Sequence, residues 1–181
     1  MPAGKVATSP REGDALSALS QARFLTQNEA MKQASLSTPF GDLTLTEEDG
    51  AITALGWGQA ARQDRSDLLD AALRQLKEYA TGERQSFDLP LRVMGSDFQR
   101  AVCTAILAIP FGHTRTYGEI ARDLGVPAQA VGGACGGNPI PVIIPCHRVM
   151  GAKGLTGFSG AGGVETKVAL LRHEGAAGLL I

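Results

Sequence analysis

The segment from Gly136 to Val149 restricts the fold more than any other part of this chain. It reads GGNPIPVIIPCHRV, with a proline at every few positions. Proline lacks a backbone N–H and clashes with the preceding helical turn, so this segment cannot form an ordinary helix. We predict a stiff, extended loop that holds Cys146 and His147 in one place.

The neighbouring thiol and imidazole indicate an activated nucleophile. A free thiol has a pKa of about 8.5 and is only a few per cent thiolate at neutral pH, and a nearby base raises that fraction. Two other readings of Cys146 stay open at this point. A buried cysteine often serves as a small hydrophobe, and a cysteine can bind zinc. The zinc reading has little support, because three cysteines and three histidines form no CxxC or HxxxH spacing.

Composition restricts the class of protein. The chain has 181 residues, 44% hydrophobic and 19% charged, which suits one large or two small globular domains. Its net charge of −1 gives no global signal for nucleic acid, so DNA binding would depend on a local patch with few phosphate contacts. The widely spaced cysteines indicate reduced thiols and a cytoplasmic protein. No apolar run approaches the ~20 residues of a membrane span, so we expect no membrane association.

The first half of the chain predicts a small α/β domain. Residues 1–35 are rich in Ala, Ser and Gln and predict a flexible extension. Leu and Thr then alternate on the way to Asp49-Gly50, which is typical of a β-hairpin. Ser66 is the expected cap of a following helix, and a further strand is predicted over Phe87–Leu91. Nothing in this domain, residues 36–92, indicates catalysis.

The second half predicts a helix-turn-helix. Ser96 and Gln99 have the spacing of a capping box at the start of a helix. Further on, residues 117–124 form one helical pattern, Gly125 ends it, and Pro127 begins another. Two helices joined by a tight glycine turn are typical of DNA-binding helix-turn-helix units, although other helical hairpins share the pattern.

The second helix of this pair, from Ala128 to Ala134, consists almost entirely of Ala, Gly and Val. Small residues let a helix backbone approach another surface closely. The two readings are tight packing on a neighbouring helix and insertion into a narrow groove.

Together these features resemble the O6-alkylguanine-DNA alkyltransferases, or methylated-DNA–protein-cysteine methyltransferases, over residues 36–176. The resemblance implies a small N-terminal α/β domain of ribonuclease H-like type. A mainly helical winged-helix/helix-turn-helix domain, residues 93–176, would follow and carry the active-site cysteine, and 177–181 would be a tail. The motifs that carry the resemblance are YGEIA at 117–121, AVG at 130–132, Asn138-Pro139, PCHRV at 145–149, TGFS at 156–159 and LLRHEG at 170–175.

The resemblance also implies a mechanism. Cys146 would attack the O6-alkyl carbon of a guanine flipped out of the DNA, and His147 would take the thiol proton through a bound water. Glu174 would orient the histidine. Its spacing from Leu170 and Leu171 puts it on the same inward helical face. From the residues alone, a surface position before a glycine cap remains the alternative for Glu174.

Several further residues are implied to contact the substrate or the DNA. Tyr117 would contact the extruded base and the adjacent phosphate, Asn138 would brace the turn before the active-site loop, and the backbone around Cys146 and Val149 would read the guanine with Ser159. The complete implied set is Tyr117, Gln129, Ala130, Gly132, Asn138, Arg148, Val149 and Ser159.

Three positions depart from the family pattern. Gln129 stands where an arginine usually fills the gap left by the flipped base, and glutamine lacks the charge and planar fork of arginine. Gly136 stands where a basic residue is frequent, and Phe158 where many members have tyrosine. None of the three belongs to the implied relay, so we expect them to alter DNA affinity and substrate range.

The function that follows from the resemblance is direct-reversal DNA repair. The alkyl group of O6-alkylguanine, with O4-alkylthymine as a further candidate, would move irreversibly to Cys146, once per molecule. The expected partner is double-stranded DNA carrying the lesion, and we expect a monomer that needs neither cofactor nor metal. Two alternatives stay open: a non-catalytic binder of alkylated bases, and a thiol that accepts alkyl groups from small-molecule donors.

Overall fold

The structure, a computed structural model, describes residues 31–155 and 157–176. It begins with a three-stranded sheet in the order β1–β2–β3, formed by Met31–Thr38, Gly41–Glu48 and Ala51–Trp57. Strands β2 and β3 are antiparallel and turn at Asp49-Gly50, where both residues have positive φ. The predicted hairpin is therefore confirmed.

The first strand begins earlier than expected. The predicted start of the folded domain at residue 36 is wrong, because β1 already begins at Met31. This part of the strand gives little apolar signal, since polar contacts hold it: the Gln33 N–H donates to the Asp64 carboxylate at 3.0 Å, and the Gln33 side chain donates to Thr46 Oγ1 at 3.2 Å. Residues 1–30 of the predicted flexible extension (1–35) and the predicted tail at 177–181 lie outside the described residues.

Helix α1, Asp67–Ala80, packs its apolar side into the core beside this sheet. Ser66 caps it, because the Ser66 hydroxyl oxygen accepts from the Leu69 N–H at 3.0 Å. Leu69, Leu76 and Tyr79 are almost completely buried. The predicted cap is thus confirmed.

The strand predicted over Phe87–Leu91 is wrong. The side-chain amide of Gln75 bonds both the N–H and the carbonyl of Asp88 at 2.9 Å, so those backbone groups are not available for a sheet. Pro90 has no N–H to donate. What remains is an isolated bridge between Leu91 and Ile52.

The second half holds the helices α2 (Asp97–Leu107), α3 (Tyr117–Leu124), α4 (Ala128–Gly136) and α5 (Val164–His173). Helices α3 and α4 form the predicted helix-turn-helix pair around Gly125, whose φ of 66° favours glycine. Among the described residues no helix has both the length and the apolar character that a membrane crossing requires.

The capping box lies at a different helix from the predicted one. Ser96 does accept from the Gln99 N–H, but the Gln99 side chain donates to the Ala134 carbonyl on α4 instead of returning to Ser96. The complete box is at α3, where the Thr116 hydroxyl accepts from the Glu119 N–H and the Glu119 carboxylate accepts from the Thr116 N–H. It fixes the start of the helix-turn-helix pair.

Two short parallel strands join that start to the segment after Cys146. Strand β4, Arg115–Thr116, pairs with β5, Val149–Met150. Since α3 starts directly after β4, this pairing places Tyr117 beside the residues that follow Cys146. The fold thereby connects the helix-turn-helix pair to the segment that contains Cys146.

We predict that Thr116→Ala lowers the free energy of unfolding by about 1 kcal/mol, because it removes the cap of α3. Urea denaturation followed by circular dichroism measures this. The matched control is Thr114→Ala, at an exposed position two residues earlier, which we expect to change stability by less than about 0.5 kcal/mol. Equal effects of the two substitutions would contradict the assigned cap.

Candidate active site

The cysteine segment is more compact than predicted. Cys146–Arg148 forms a single 3₁₀ turn, so the expected extended loop is wrong at this point. The chain folds around Asn138, whose side-chain amide donates to the Ile144 carbonyl at 2.8 Å and accepts from the Ile140 N–H at 3.1 Å. The Asn138 side chain thus supplies hydrogen-bond partners that the backbone of this proline-rich segment lacks, and it orders the turn directly before Cys146.

Cys146 opens on a cavity of about 250 Å³. Only 4% of the residue is exposed, so the thiol is reached through this cavity. The walls come from α3, from the small-residue face of α4 and from the loop before α5. The lining residues are Tyr117, Gly132, Cys135, Gly136, Cys146, Gly157, Phe158 and Ser159.

His147 and Glu174 form a completely buried pair. The His147 Nε2 and Glu174 Oε1 atoms are 2.7 Å apart, and both side chains have no exposed surface. Glu174 is the residue directly after α5, and it is buried, as its spacing from Leu170 and Leu171 predicts.

Several donors surround the Glu174 carboxylate. Arg148 binds it through two nitrogens, at 2.8 Å to Oε2 and 3.0 Å to Oε1. The Tyr79 hydroxyl donates to Oε1 at 2.7 Å, and the Gly112 N–H donates to Oε2 at 3.4 Å. Burial alone would raise the pKa of Glu174, but the bonds from His147 and Arg148 outweigh it and hold the pKa at about 2. Glu174 is therefore ionised at neutral pH.

Gly112 is required for this arrangement. Its φ is 73°, and a Cβ atom at this position would lie 3.0 Å from the Glu174 backbone carbonyl oxygen. A side chain here would be strained and would push the two segments apart.

The ionised carboxylate fixes the tautomer of His147. A carboxylate can only accept hydrogen bonds, so Nε2 of His147 must carry the proton. The lone pair then lies on Nδ1, which is buried and has no hydrogen-bond partner among the described residues. Burial lowers the pKa of His147, although Glu174 acts in the opposite direction. The resting imidazole is neutral, and Nδ1 is free to accept a proton.

Cys146 rests as a thiol. Burial raises the pKa of Cys146, while the Asn138 side chain and the charge of Lys167 act to lower it. Lys167 is fully buried on α5 and donates to the Val149 carbonyl at 2.6 Å. A buried thiol needs a base to become nucleophilic, and a neighbouring cation stabilises the thiolate once it forms.

Five of the other implied residues fall into two groups, those that line the cavity and those that lie outside it. Tyr117, Gly132 and Ser159 line the cavity with Cys146. Gln129 and Ala130 lie outside the lining, in the first turn of α4, with Gln129 exposed.

The prediction of a DNA contact for Arg148 is corrected by its position. The residue is 6% exposed, and its guanidinium binds Glu174 and the Ile109 carbonyl, the latter at 2.6 Å. Arg148 therefore supports the carboxylate from behind. Val149 is also buried, and Lys167 occupies its carbonyl, so this carbonyl is already bonded within the protein.

Sequence reasoning missed Tyr79, Gly112 and Lys167. Lys167 had a usable signal, because it lies three residues before Leu170 on the inward face of α5, where a charged residue is unusual. Tyr79 had none, since 95 residues separate it from Glu174. Among the described residues no group of three or more His, Cys, Asp or Glu side chains could hold a metal ion.

The fold and site together define a helix-turn-helix protein with a buried thiol, imidazole and carboxylate. Residues 31–93 match the ribonuclease-like domain of 6-O-methylguanine DNA methyltransferase, and residues 97–176 match its DNA binding domain. The chain therefore belongs to the 6-O-methylguanine DNA methyltransferase family.

Individual relatives agree with this assignment. A methylated-DNA–protein-cysteine methyltransferase of Methanosarcina barkeri is 51% identical over 150 residues, covering 77% of this chain and 94% of the relative. One of Mycolicibacterium paratuberculosis is 42% identical over 155 residues, covering 77% and 90%. The crystal structure of Mycobacterium tuberculosis OGT in complex with DNA has a TM-score of 0.72 and 42% identity, covering 80% of this chain and 92% of that one.

We predict that Glu174 makes the stability of this protein depend on pH in the acid range. Its pKa falls from an ordinary 4.5 to about 2 on folding, so its contribution of about 3 kcal/mol is complete above about pH 4.5 and is lost as the pH falls towards 2. Glu174→Gln removes this dependence, whereas Glu165→Gln, at an exposed position on α5, leaves it. Urea denaturation between pH 2.5 and 6 measures the difference, and parallel curves for wild type and Glu174→Gln would contradict it.

Proposed function

We propose that this chain repairs O6-alkylguanine in double-stranded DNA by transferring the alkyl group to its own Cys146. The observation that supports this most directly is the position of the thiol. Cys146 lies at a cavity beside the helix-turn-helix pair, next in sequence to a buried histidine–glutamate pair. The family and its DNA-bound member point to the same chemistry.

The reaction requires one displacement. The Cys146 proton passes through a water molecule to Nδ1 of His147, and Glu174 stabilises the imidazolium that forms. The Cys146 sulfur attacks the alkyl carbon, an S–C bond forms, and the C–O6 bond breaks. The electron pair of that bond leaves with the guanine, which takes up one proton from solvent at N1, while the imidazolium returns the thiol proton to solvent. A thioether is a poor leaving group, so each molecule acts once.

The cavity must receive a base that has left the DNA stack. Extrusion costs a few kcal/mol, which contacts in the cavity must offset. Tyr117 and Ser159 supply hydroxyl groups at the walls, and Gly132 leaves its side of the wall without a side chain. Gln129, exposed in the first turn of α4, is the residue we assign to the space left in the duplex.

We infer that the protein acts as a monomer without a cofactor, because it is itself the second substrate and supplies the thiol, the base and the carboxylate from one chain. We also infer that it acts in the cytoplasm, since its cysteines are free thiols.

We predict that Cys146→Ala abolishes alkyl transfer from a duplex carrying O6-methylguanine and leaves the fold intact. Peptide mass mapping of the wild type should find one methyl group, on the peptide that contains Cys146. The matched control is Cys103→Ala, because Cys103 is a buried thiol on α2 outside the cavity lining, and its loss should leave transfer unchanged. Methyl transfer by Cys146→Ala would refute the assignment.

Two other results of the same assay would favour the alternative functions. Tight binding of the lesion duplex by wild type without a covalent product would indicate a damage-binding protein. A rate with free O6-benzylguanine that equals the rate with the same lesion in a duplex would indicate a small-molecule alkyl acceptor.

We predict that Gln129→Arg increases the single-turnover rate on duplex DNA at subsaturating protein. If arginine favours the extruded state by about 1.4 kcal/mol, the gain is about tenfold. Gln85→Arg adds the same charge on the exposed loop after α1 and serves as the control for non-specific attraction to DNA. A gain shared by both variants, or absent from both, would show that Gln129 does not limit base extrusion.

A further inference from the structure

Tyr79 is a residue of the N-terminal domain that contacts the Glu174 carboxylate of the active site. Tyr79 lies in the last turn of α1 and is 1% exposed. Its hydroxyl donates to Glu174 Oε1 at 2.7 Å, and the backbone carbonyl of Tyr79 accepts from His173 Nε2 at 2.6 Å. The domain that gave no sequence signal for catalysis thus supplies a donor to the carboxylate of the relay.

We infer that Tyr79 is a positioning residue. Its hydroxyl shares Glu174 Oε1, the oxygen that is hydrogen-bonded to His147, and this sharing makes His147 a weaker base, so that its imidazole stays neutral. This inference rests on the proposed role of His147 as the base for Cys146. It gives the N-terminal domain a part in the reaction beyond supporting the fold.

Three donors meet at one oxygen of the Glu174 carboxylate, Oε1. His147 Nε2 and the Tyr79 hydroxyl both lie 2.7 Å from this oxygen, and Arg148 Nη2 lies 3.0 Å from it. A carboxylate has about four lone-pair positions over its two oxygens, so three donors at one oxygen compete for its electron density. Each added donor disperses the negative charge and weakens the attraction between Glu174 and a protonated His147.

The hydroxyl stays a donor throughout the working pH range. Burial and the neighbouring Glu174 charge raise the pKa of Tyr79, so the phenol does not ionise. The other groups that act on His147 are Glu174, which favours its protonated form, and Arg148 and Lys167, whose charges disfavour it. Removal of the Tyr79 hydroxyl therefore leaves Glu174 freer to stabilise imidazolium, and the pKa of His147 rises.

A purely structural role for Tyr79 makes a different prediction. Its ring packs against Phe87 at a centroid distance of 5.5 Å and against His173 at 5.1 Å. If packing were its whole contribution, loss of the hydroxyl would change stability without moving the titration of His147.

We predict that Tyr79→Phe, which keeps the ring, raises the titration midpoint of the His147 imidazole by up to about one unit. The measurement is ¹⁵N NMR of the histidine side chains across pH, in a chain that has only three histidines. In the pH profile of the alkyl-transfer rate, the acid limb should move to higher pH by the same amount, because neutral His147 is needed to accept the thiol proton. The control Phe87→Leu disturbs the packing of the ring, keeps the hydroxyl and should move neither.

A second measurement avoids loss of the hydroxyl. Incorporation of 3-fluorotyrosine into Tyr117→Phe labels Tyr79 alone, since the chain has two tyrosines. Fluorine makes the phenol more acidic and a stronger donor, so the His147 midpoint should fall. This NMR experiment needs no activity and remains informative if Tyr79→Phe folds poorly.

The outcomes separate the inference from the proposed function. An unchanged His147 midpoint in both Tyr79→Phe and the fluorinated protein would overturn the inference. Shifted midpoints with no acceptance of an alkyl group by wild-type Cys146 would refute the proposed function and, with it, the catalytic meaning of the Tyr79 contact. Shifted midpoints together with a shifted rate profile support both.

Discussion

The buried carboxylate of Glu174 is the interaction on which the rest of this structure depends. It joins three distant parts of the chain: helix α1 through Tyr79, the active-site turn through His147 and Arg148, and the position directly after α5, which Glu174 itself occupies. A buried charge without partners would be strongly destabilising. The same donors that make the burial tolerable also set the ionisation of Glu174, so stability and reactivity come from one cluster.

The resting thiol follows from the same burial. Because Cys146 is almost enclosed, its proton is held until a base removes it, and in the proposed function this protects the thiol that accepts the alkyl group. The pairing of β4 with β5 lies next to Tyr117, which lines the same cavity as that thiol, so the proposed entry of a base and activation of the nucleophile take place at one cavity.

Local chemistry made much of this structure predictable from sequence. The Asp49-Gly50 hairpin, the Ser66 cap and the helix-turn-helix around Gly125 each follow from a few neighbouring residues. The adjacent Cys146 and His147 pointed to the segment that the structure places beside the cavity and the buried carboxylate. The errors have a common cause in long-range side-chain contacts. Gln75 bonds the backbone of Asp88 and prevents a strand, and Arg148 and Tyr79 turn inward to a carboxylate far away in sequence. No local pattern encodes such partners.

Apart from Gln129, helix α4 presents almost no side chains with freedom to rotate. Ala, Gly and Val have few or no rotamers to lose, so a surface that docks on this helix loses little side-chain entropy in doing so. The three glycines make the isolated helix weak, each by about 1 kcal/mol relative to alanine, and buried Val131, Ala134 and Cys135 compensate by packing inward. Helix α4 thus presents mainly backbone at its surface, and its order depends on the core beneath it, so a substitution in that core would disturb this surface without changing any residue on it.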